Sequence, residues 1–373
     1  MFGSRNFLFA KPLDILPTEG KLYAWGLNNS GQLGLGNTTN YSSPKVVGSL
    51  LWTFVATGAN FSLAIKEDGT LWAWGNGTTN VLGLGNTTNY SSPVQVGTDT
   101  NWASVTTTRR SVFAIKTNGT LWSWGYNSQG QLGLGDTTRR SFPVQVGTDT
   151  TWAKLPKPSE GWIGAAIKTN GTMWMWGMGY FGGQGRGNTT SYYSPVQFGS
   201  DTWLQIQPLT TGTLGVKTNG TLWATGGNGQ GQLGLGNTTN ISTFTQVGSS
   251  VDWLNVTGAS YTGIAQKTDK SIWAWGSNSV GQFGNGSASS SSPAQTSSST
   301  DWLLLSARGN DPGVLALKTN NSLWSWGGNV QGTLGDGTTT DRSSPVQVGG
   351  LNKWIAIQGG SGANGNALGI LAQ

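Results

Sequence analysis

The chain has no cysteine and no histidine among its 373 residues. Disulfides, thiolate nucleophiles, imidazole bases and the commonest zinc ligands are thereby excluded, and with them most hydrolase and metalloenzyme chemistry. Charge is also scarce: Asp, Glu, Lys and Arg make up 10% of the residues, with a net charge of +6. The basic residues are dispersed along the chain, so there is no strong nucleic-acid signal. Long apolar runs are missing; the N-terminal patch Phe7 to Ala10 is interrupted by Lys11, Pro12 and Asp14. That patch is too short for a secretory core or a membrane span, so neither signal peptide nor transmembrane helix is expected. No pair of carboxylates stands apart from the rest, which leaves general acid–base catalysis without candidates. The expectation is a protein that is not an enzyme, uses no cofactor or metal, and does not enter a membrane.

What is abundant is glycine, at 60 residues, and tryptophan, at 20. Short strands and tight turns suit such a composition better than long helices, and the aromatics argue against disorder. The tryptophans recur. Strands LYAWG (Leu22 to Gly26), LWAWG (Leu71 to Gly75), LWSWG (Leu121 to Gly125), MWMWG (Met173 to Gly177), LWATG (Leu222 to Gly226), IWAWG (Ile272 to Gly276) and LWSWG (Leu323 to Gly327) begin 49 to 52 residues apart. A period near fifty residues marks a ring or stack of one repeated supersecondary unit.

Each unit reads as four short strands. An alternating run opened by Trp is followed by a second β-rich run ending in Lys. An Asp-Gly or Asn-Gly hairpin turn comes next at Gly69, Gly119, Gly171 and Gly220, followed by the Trp-Gly strand. After it come a Gly-rich loop and a Pro-containing strand such as Ser92 to Val96. The Gly-rich loops lack the phosphate-binding pattern with its Lys and its strand-to-helix setting. Four strands per unit and seven units describe a propeller. The fold expected is all-β: a single seven-bladed β-propeller of about 50-residue, four-stranded blades, over residues 21–373, with residues 1–20 as an N-terminal arm. The first unit lacks its two leading strands, and the C-terminus from Trp354 supplies two with nothing after them. Residues 351–373 are therefore expected to pair beside 21–48, closing the ring in one blade.

The run WGxNxxGQLGxG, present at Trp25 to Gly36 and Trp124 to Gly135 and, with Phe283 in place of the Leu, at Trp275 to Gly286, resembles the repeat of the regulator of chromosome condensation family. The resemblance covers roughly residues 21–373 and implies a seven-bladed propeller; a bacterial or phage-type member is expected. The family includes nucleotide exchange factors, a light sensor and a protein inhibitor. The light sensor's GWRHT motif is absent.

The repeat absorbs nineteen of the 20 tryptophans as framework. Asp99, Asp149, Asp201, Asp252 and Asp301 precede the strand-opening Trp, and Lys66, Lys116, Lys168, Lys217, Lys267 and Lys318 precede the hairpin turns. These are read either as solvated neighbours of turns or as a lysine band on one face. Function is sought where the copies differ. The turn after the opening strand carries Arg109 and Arg110, the odd Trp162, and Tyr261. The spacing from opening Trp to Lys is 14 in four units and 16 in the two with enlarged turns. A second variable stretch, after the Gly-rich loop, carries Arg139, Arg140, Tyr192 and Tyr193, and is placed on the opposite rim or the outer edge. Either set is ordinary surface variation or, since aromatic and Arg residues on rigidly held loops are the usual anchors of recognition, a partner site. Phe2, Phe7, Leu8 and Phe9 are anchor candidates on the arm.

The leading functional expectation is a non-enzymatic binding or structural propeller, most concretely a bacteriophage virion-surface protein: a decoration, tail or fibre component. It would dock on a capsid or tail protein and contact a host-surface protein or glycan. Its motive is a surface-like composition without an export signal, which a particle assembled in the host cytoplasm reconciles. The alternatives are guanine-nucleotide exchange or other small-GTPase regulation, and a secreted bacterial adhesin or protein inhibitor, with an extracellular location second.

Overall fold

A computed structural model describes residues 19–309, 312–360 and 365–373. Twenty-six strands and one short 3-10 turn make up its regular structure. The strands form seven four-stranded antiparallel blades, and two blade pairs are fused into seven-stranded sheets by the long segments Tyr41–Thr57 and Tyr192–Pro208. We number the blades by their opening Trp: Trp52, Trp102, Trp152, Trp203, Trp253, Trp302 and Trp354 start the inner strands of blades 1 to 7.

Blade 7 joins the two ends of the chain. Strand Gly20–Gly26 lies between strand Asn366–Ala372 and the outer strand from Tyr41, with Gly20 opposite Ala372 and Gly26 opposite Asn366. The expected closure is thus present as seven residue pairs, and no inner sheet edge is left at the seam. The first described strand begins at Gly20; the expected arm, with Phe2, Phe7, Leu8 and Phe9, lies outside the described residues.

Seven hydrophobic clusters hold the ring, one at each junction between neighbouring blades. The Trp before each Trp-Gly glycine is fully buried and donates its indole N–H to a backbone carbonyl in the preceding blade. Examples are Trp74 to Gln32 (3.0 Å), Trp124 to Val81 (2.8 Å) and Trp176 to Gln131 (2.8 Å). Blade 4 departs from the pattern. Thr225 replaces the Trp, its hydroxyl bonds Gly182 carbonyl at 3.0 Å, and Phe244 fills the vacated volume against Gly185 and Phe198. An aromatic deleted from one strand has been restored from the neighbouring one, which keeps the junction packed.

The blades have two dissimilar faces. The hairpin turns and the links between blades lie on one, the hairpin face. The turns after the inner strands and the Gly-rich loops lie on the other, the loop face.

Candidate interaction site

On the hairpin face the recurring acids and lysines are partners. Lys116 Nζ lies 2.9 Å from Asp99 and over the rings of Trp122 (3.9 Å) and Trp102 (4.7 Å). The same arrangement joins Lys168 with Asp149, Lys217 with Asp201, Lys267 with Asp252 and Lys318 with Asp301, each lysine above two tryptophans. In blade 1 Lys66 pairs with Asp68 of its own hairpin. Hydrogen bonds from Lys168 and then Thr151 hold the Asp149 carboxyl down at about 2. Neither of the two readings made for these lysines applies. They are largely buried clamps, neutralised within their own repeat, and they leave no net positive band.

The loop face is different over blades 2 and 3. Arg109 and Arg110 end the first turn of blade 2, and Tyr126 follows its Trp-Gly strand, fixed by its own N–H on the Arg110 carbonyl at 2.9 Å. Arg139 stacks on the Tyr126 ring at 4.6 Å, and Trp162, from blade 3, packs against the same ring at 5.5 Å. A hydrogen bond with Ser128, then Arg139 and the charge of Arg110, hold the Tyr126 phenol below its ordinary value, against the opposing effect of burial. Arg110 and Arg139 are exposed, Tyr126 and Trp162 half-buried. Among the described residues neither Arg110 nor Arg139 has a carboxylate within ion-pair distance. A planar cation on an aromatic ring beside a second free cation is built to receive an anionic group.

The second variable stretch lies on this same face, at its outer edge, and not on the opposite rim: Gly125 pairs with Arg140 and Gly177 with Tyr192. Arg140 is occupied by Asp136 at 2.6 Å. Tyr192 lies beneath Arg186, and Tyr193 packs over Gly130 of blade 2. Tyr261 is exposed on blade 5, remote in the ring from the Tyr126 cluster. Arg109, Arg110, Arg139 and Trp162 are thus brought to one cluster; Arg140, Tyr192 and Tyr193 lie at the outer edge of the same two blades in contacts of their own, and Tyr261 lies apart.

Sequence reasoning missed Tyr126, although no other copy has an aromatic residue directly after the Trp-Gly strand. It also missed the exposed pair Tyr180 and Phe181 in the blade 3 loop. Phe181 takes φ 55°, a left-handed conformation unfavourable for a bulky side chain, and rests edge-on against Tyr180. Two ionisable groups of the enlarged blade 3 turn, Glu160 buried and Lys157 half-buried, were missed as well. Burial pushes the Glu160 carboxyl up to about 7 against the charge of Arg109, and its Oε1 has no hydrogen-bond partner. Lys157 reaches across the ring to donate to the Leu305 carbonyl of blade 6 at 2.7 Å. It keeps some access to solvent yet is ringed by protein, and burial pulls its ammonium down to about 7. Among the described residues no cluster of acids forms a metal site, and no helix is long and apolar enough to cross a membrane.

The sequence profile of the regulator of chromosome condensation (RCC1) repeat matches residues 19–65, 68–115, 118–154 and 320–364, and a second profile of that repeat matches 52–80. "Protein RCC2 homolog" of Danio rerio is 42% identical over 57 residues, 14% of this chain and 12% of that protein. "Protein RCC2" of Homo sapiens is 39% identical over 56 residues, 14% of this chain and 11% of that protein. The matched stretch is therefore a small part of those relatives. Among solved structures, human WBSCR16 superposes with a TM-score of 0.83 at 16% identity, covering 95% of this chain and 99% of that one. Yeast RCC1 (Prp20), solved bound to Kap60, gives 0.81 at 17% identity over 96% of this chain and 90% of that one. Prp20p from Saccharomyces cerevisiae, described with its binding to Gsp1p and histones, gives 0.79 at 16% identity over 98% and 96%. At these identities the structural likeness carries the fold.

Proposed function

We propose that this protein, a seven-bladed β-propeller of regulator of chromosome condensation repeats, is a binding module that holds a protein partner on its loop face over blades 2 and 3. The observation that carries this reading is the Arg110–Tyr126–Arg139–Trp162 cluster, where cations without a counter-charge stand on a rigid, wholly β scaffold. On the opposite face the recurring lysines that end the second strands of blades 1 to 6 are already paired, each with an Asp. The surface so presented suits an acidic segment of the partner: Arg supplies forked donors to carboxylates, and the half-buried rings supply contact area at low entropic cost.

Within that reading the likenesses favour regulation of a small GTPase, since the Prp20p neighbour is described with its binding to Gsp1p. The virion-surface reading rests on composition alone and draws no support from the relatives found. A fluorescent-nucleotide release assay against a panel of small GTPases tests the GTPase reading. Accelerated release by the wild-type chain, abolished by Arg110→Glu together with Arg139→Glu, is the expected result. No acceleration with any GTPase removes that reading. A partner that binds the charge-reversed variant as tightly as wild type removes the binding site itself.

A further inference from the structure

Between blades 2 and 3, on the side of the link that joins them, the surface opens into a cleft of about 400 Å³. Small-ligand sites usually measure roughly 300–1,000 Å³, so the cleft is large enough for one. Blade 2 gives one wall, with Leu134 and Gln145, and blade 3 the other, with Trp174, Ser194 and Pro195. Trp174 packs against the cluster between the blades with part of its surface only; it is half-buried, and its indole lines the cleft. That ring is held in place. Its N–H donates to the Thr172 hydroxyl at 3.1 Å, Trp152 meets it edge-on at 5.8 Å, and the Lys168 ammonium lies over it at 3.7 Å.

The polar groups of the cleft limit what it can take. Asp149 and Lys168 are the only ionisable residues among those that line it, and they neutralise each other. The cleft therefore has no net charge to offer an ion. Gln145 donates to the Gly147 carbonyl at 3.0 Å, while its own side-chain carbonyl and the Ser194 hydroxyl carry no described hydrogen bond. Donors and acceptors thus stand together beside an aromatic surface. Blade 6 adds a comparison from within the chain. The indole N–H of the opening Trp has no acceptor in blade 3, nor in blades 1, 2, 4, 5 and 7. In blade 6 Ser297 stands at the repeat position of Gly147, and its hydroxyl accepts the Trp302 N–H at 3.1 Å. Gly147 leaves that place open, since a Cβ there would meet nothing within 4 Å. A hydroxyl is what the chain itself puts where blade 3 has space.

We propose that this cleft binds a neutral sugar, a hexopyranose unit whose C–H face lies on Trp174 and whose hydroxyls meet Gln145, Ser194 and the Asp149–Lys168 pair. An aromatic ring suits the apolar face of a sugar, hydroxyls both donate and accept, and an uncharged ligand gives up no ionic hydration on entry. The site is separate from the loop-face partner site and stands or falls without it.

Saturation-transfer NMR titrations of the full chain with the methyl glycosides of glucose, galactose and mannose test it, with cyclohexanol and adenine as controls. At least one glycoside is expected to bind saturably and roughly tenfold more tightly than either control. Ser194→Phe gives blade 3 the residue that blade 2 carries at the corresponding place, Phe142, so the repeat accommodates it. Its ring crowds the cleft and is expected to weaken glycoside binding roughly tenfold at an unchanged melting temperature. Trp174→Ala removes the platform and is expected to abolish saturable binding; should that variant fail to fold, Ser194→Phe decides. No saturable binding of any of the glycosides, a control that binds as tightly, or undiminished affinity in Ser194→Phe or in a folded Trp174→Ala would each overturn the proposal.

Discussion

The two faces of the ring are made by the same seven repeats, yet they treat charge in opposite ways. On the hairpin face the lysine that ends the second strand in each of blades 2 to 6 meets an Asp from its own repeat and lies over two indoles. On the loop face over blades 2 and 3, Arg110 and Arg139 are left without a carboxylate, and Tyr126 and Trp162 stand at repeat positions whose occupant varies from blade to blade. The difference shows where such a scaffold can vary. Residues that close the hairpin and seat the next blade are held to one solution, whereas the turns on the loop face contact solvent and are released to specialise.

The largest expected separation between framework and specialised residues is in stability. Trp176→Ala empties a fully buried site and breaks the bond to Gln131, and is expected to cost about 3–5 kcal/mol in urea denaturation. Trp162→Ala, at a half-buried loop position, is expected to cost under about 1 kcal/mol. Equal costs would make the loop cluster part of the framework and erase the distinction.

Next in size is the effect on binding. Arg110→Glu with Arg139→Glu is expected to weaken partner affinity roughly 10- to 100-fold, about 1.4–2.8 kcal/mol, with an unchanged melting temperature. Asp201→Asn on the hairpin face is expected to leave affinity unaltered in the same titration. The comparison of faces is lost if the two variants bind alike.

Glu160 sharpens the contrast through pH. Its folded carboxyl titrates at about 7 against an ordinary value of 4.5. Between those values the folded chain holds a proton that the unfolded chain has released, so stability falls as pH rises from 4.5 to 7 and stays lowered above. Glu160→Gln is expected to abolish this slope and to stabilise the protein at pH 8 by on the order of 1–3 kcal/mol, with little change at pH 4, by denaturation at both pH values. A parallel slope in the variant would relieve Glu160 of that role.

The smallest effect concerns the clamps. The Asp149 carboxyl, held at about 2, contributes stability that is present above its ordinary value of 3.8 and lost as pH falls towards 2. Since the pair is partly screened by solvent, Asp149→Asn is expected to cost only about 0.5 kcal/mol at pH 7. A cost of several kcal/mol would show the clamps to be structural keystones.

Much of this was legible in the chain because its cause is local. A hairpin turn with Gly at positive φ, as at Gly119 (φ 77°), selects its own residues, and a fifty-residue period announces the closed ring. Even the seam at blade 7 could be read, as missing strands at one end and surplus strands at the other. The Asp–Lys pairs were visible as two separate series, but not as pairs, because the hairpin and the link between blades converge only when the blade is folded. Tyr126 carried a signal, as the lone aromatic at its repeat position. Tyr180 and Phe181 carried a weaker one, and nothing in the sequence marked Lys157 as a residue that crosses the ring.

The sequence by itself thus determined the repeat, the number of blades, the framework tryptophans and the way the ring closes, since these follow from turn chemistry and periodic burial within each fifty-residue unit. Tertiary structure alone decided which variable residues meet: Arg139 and Trp162 share the Tyr126 ring because adjacent blades bring successive repeats together. It also decided that Lys157 ends at the Leu305 carbonyl of blade 6, because closure of the ring folds distant repeats onto one axis.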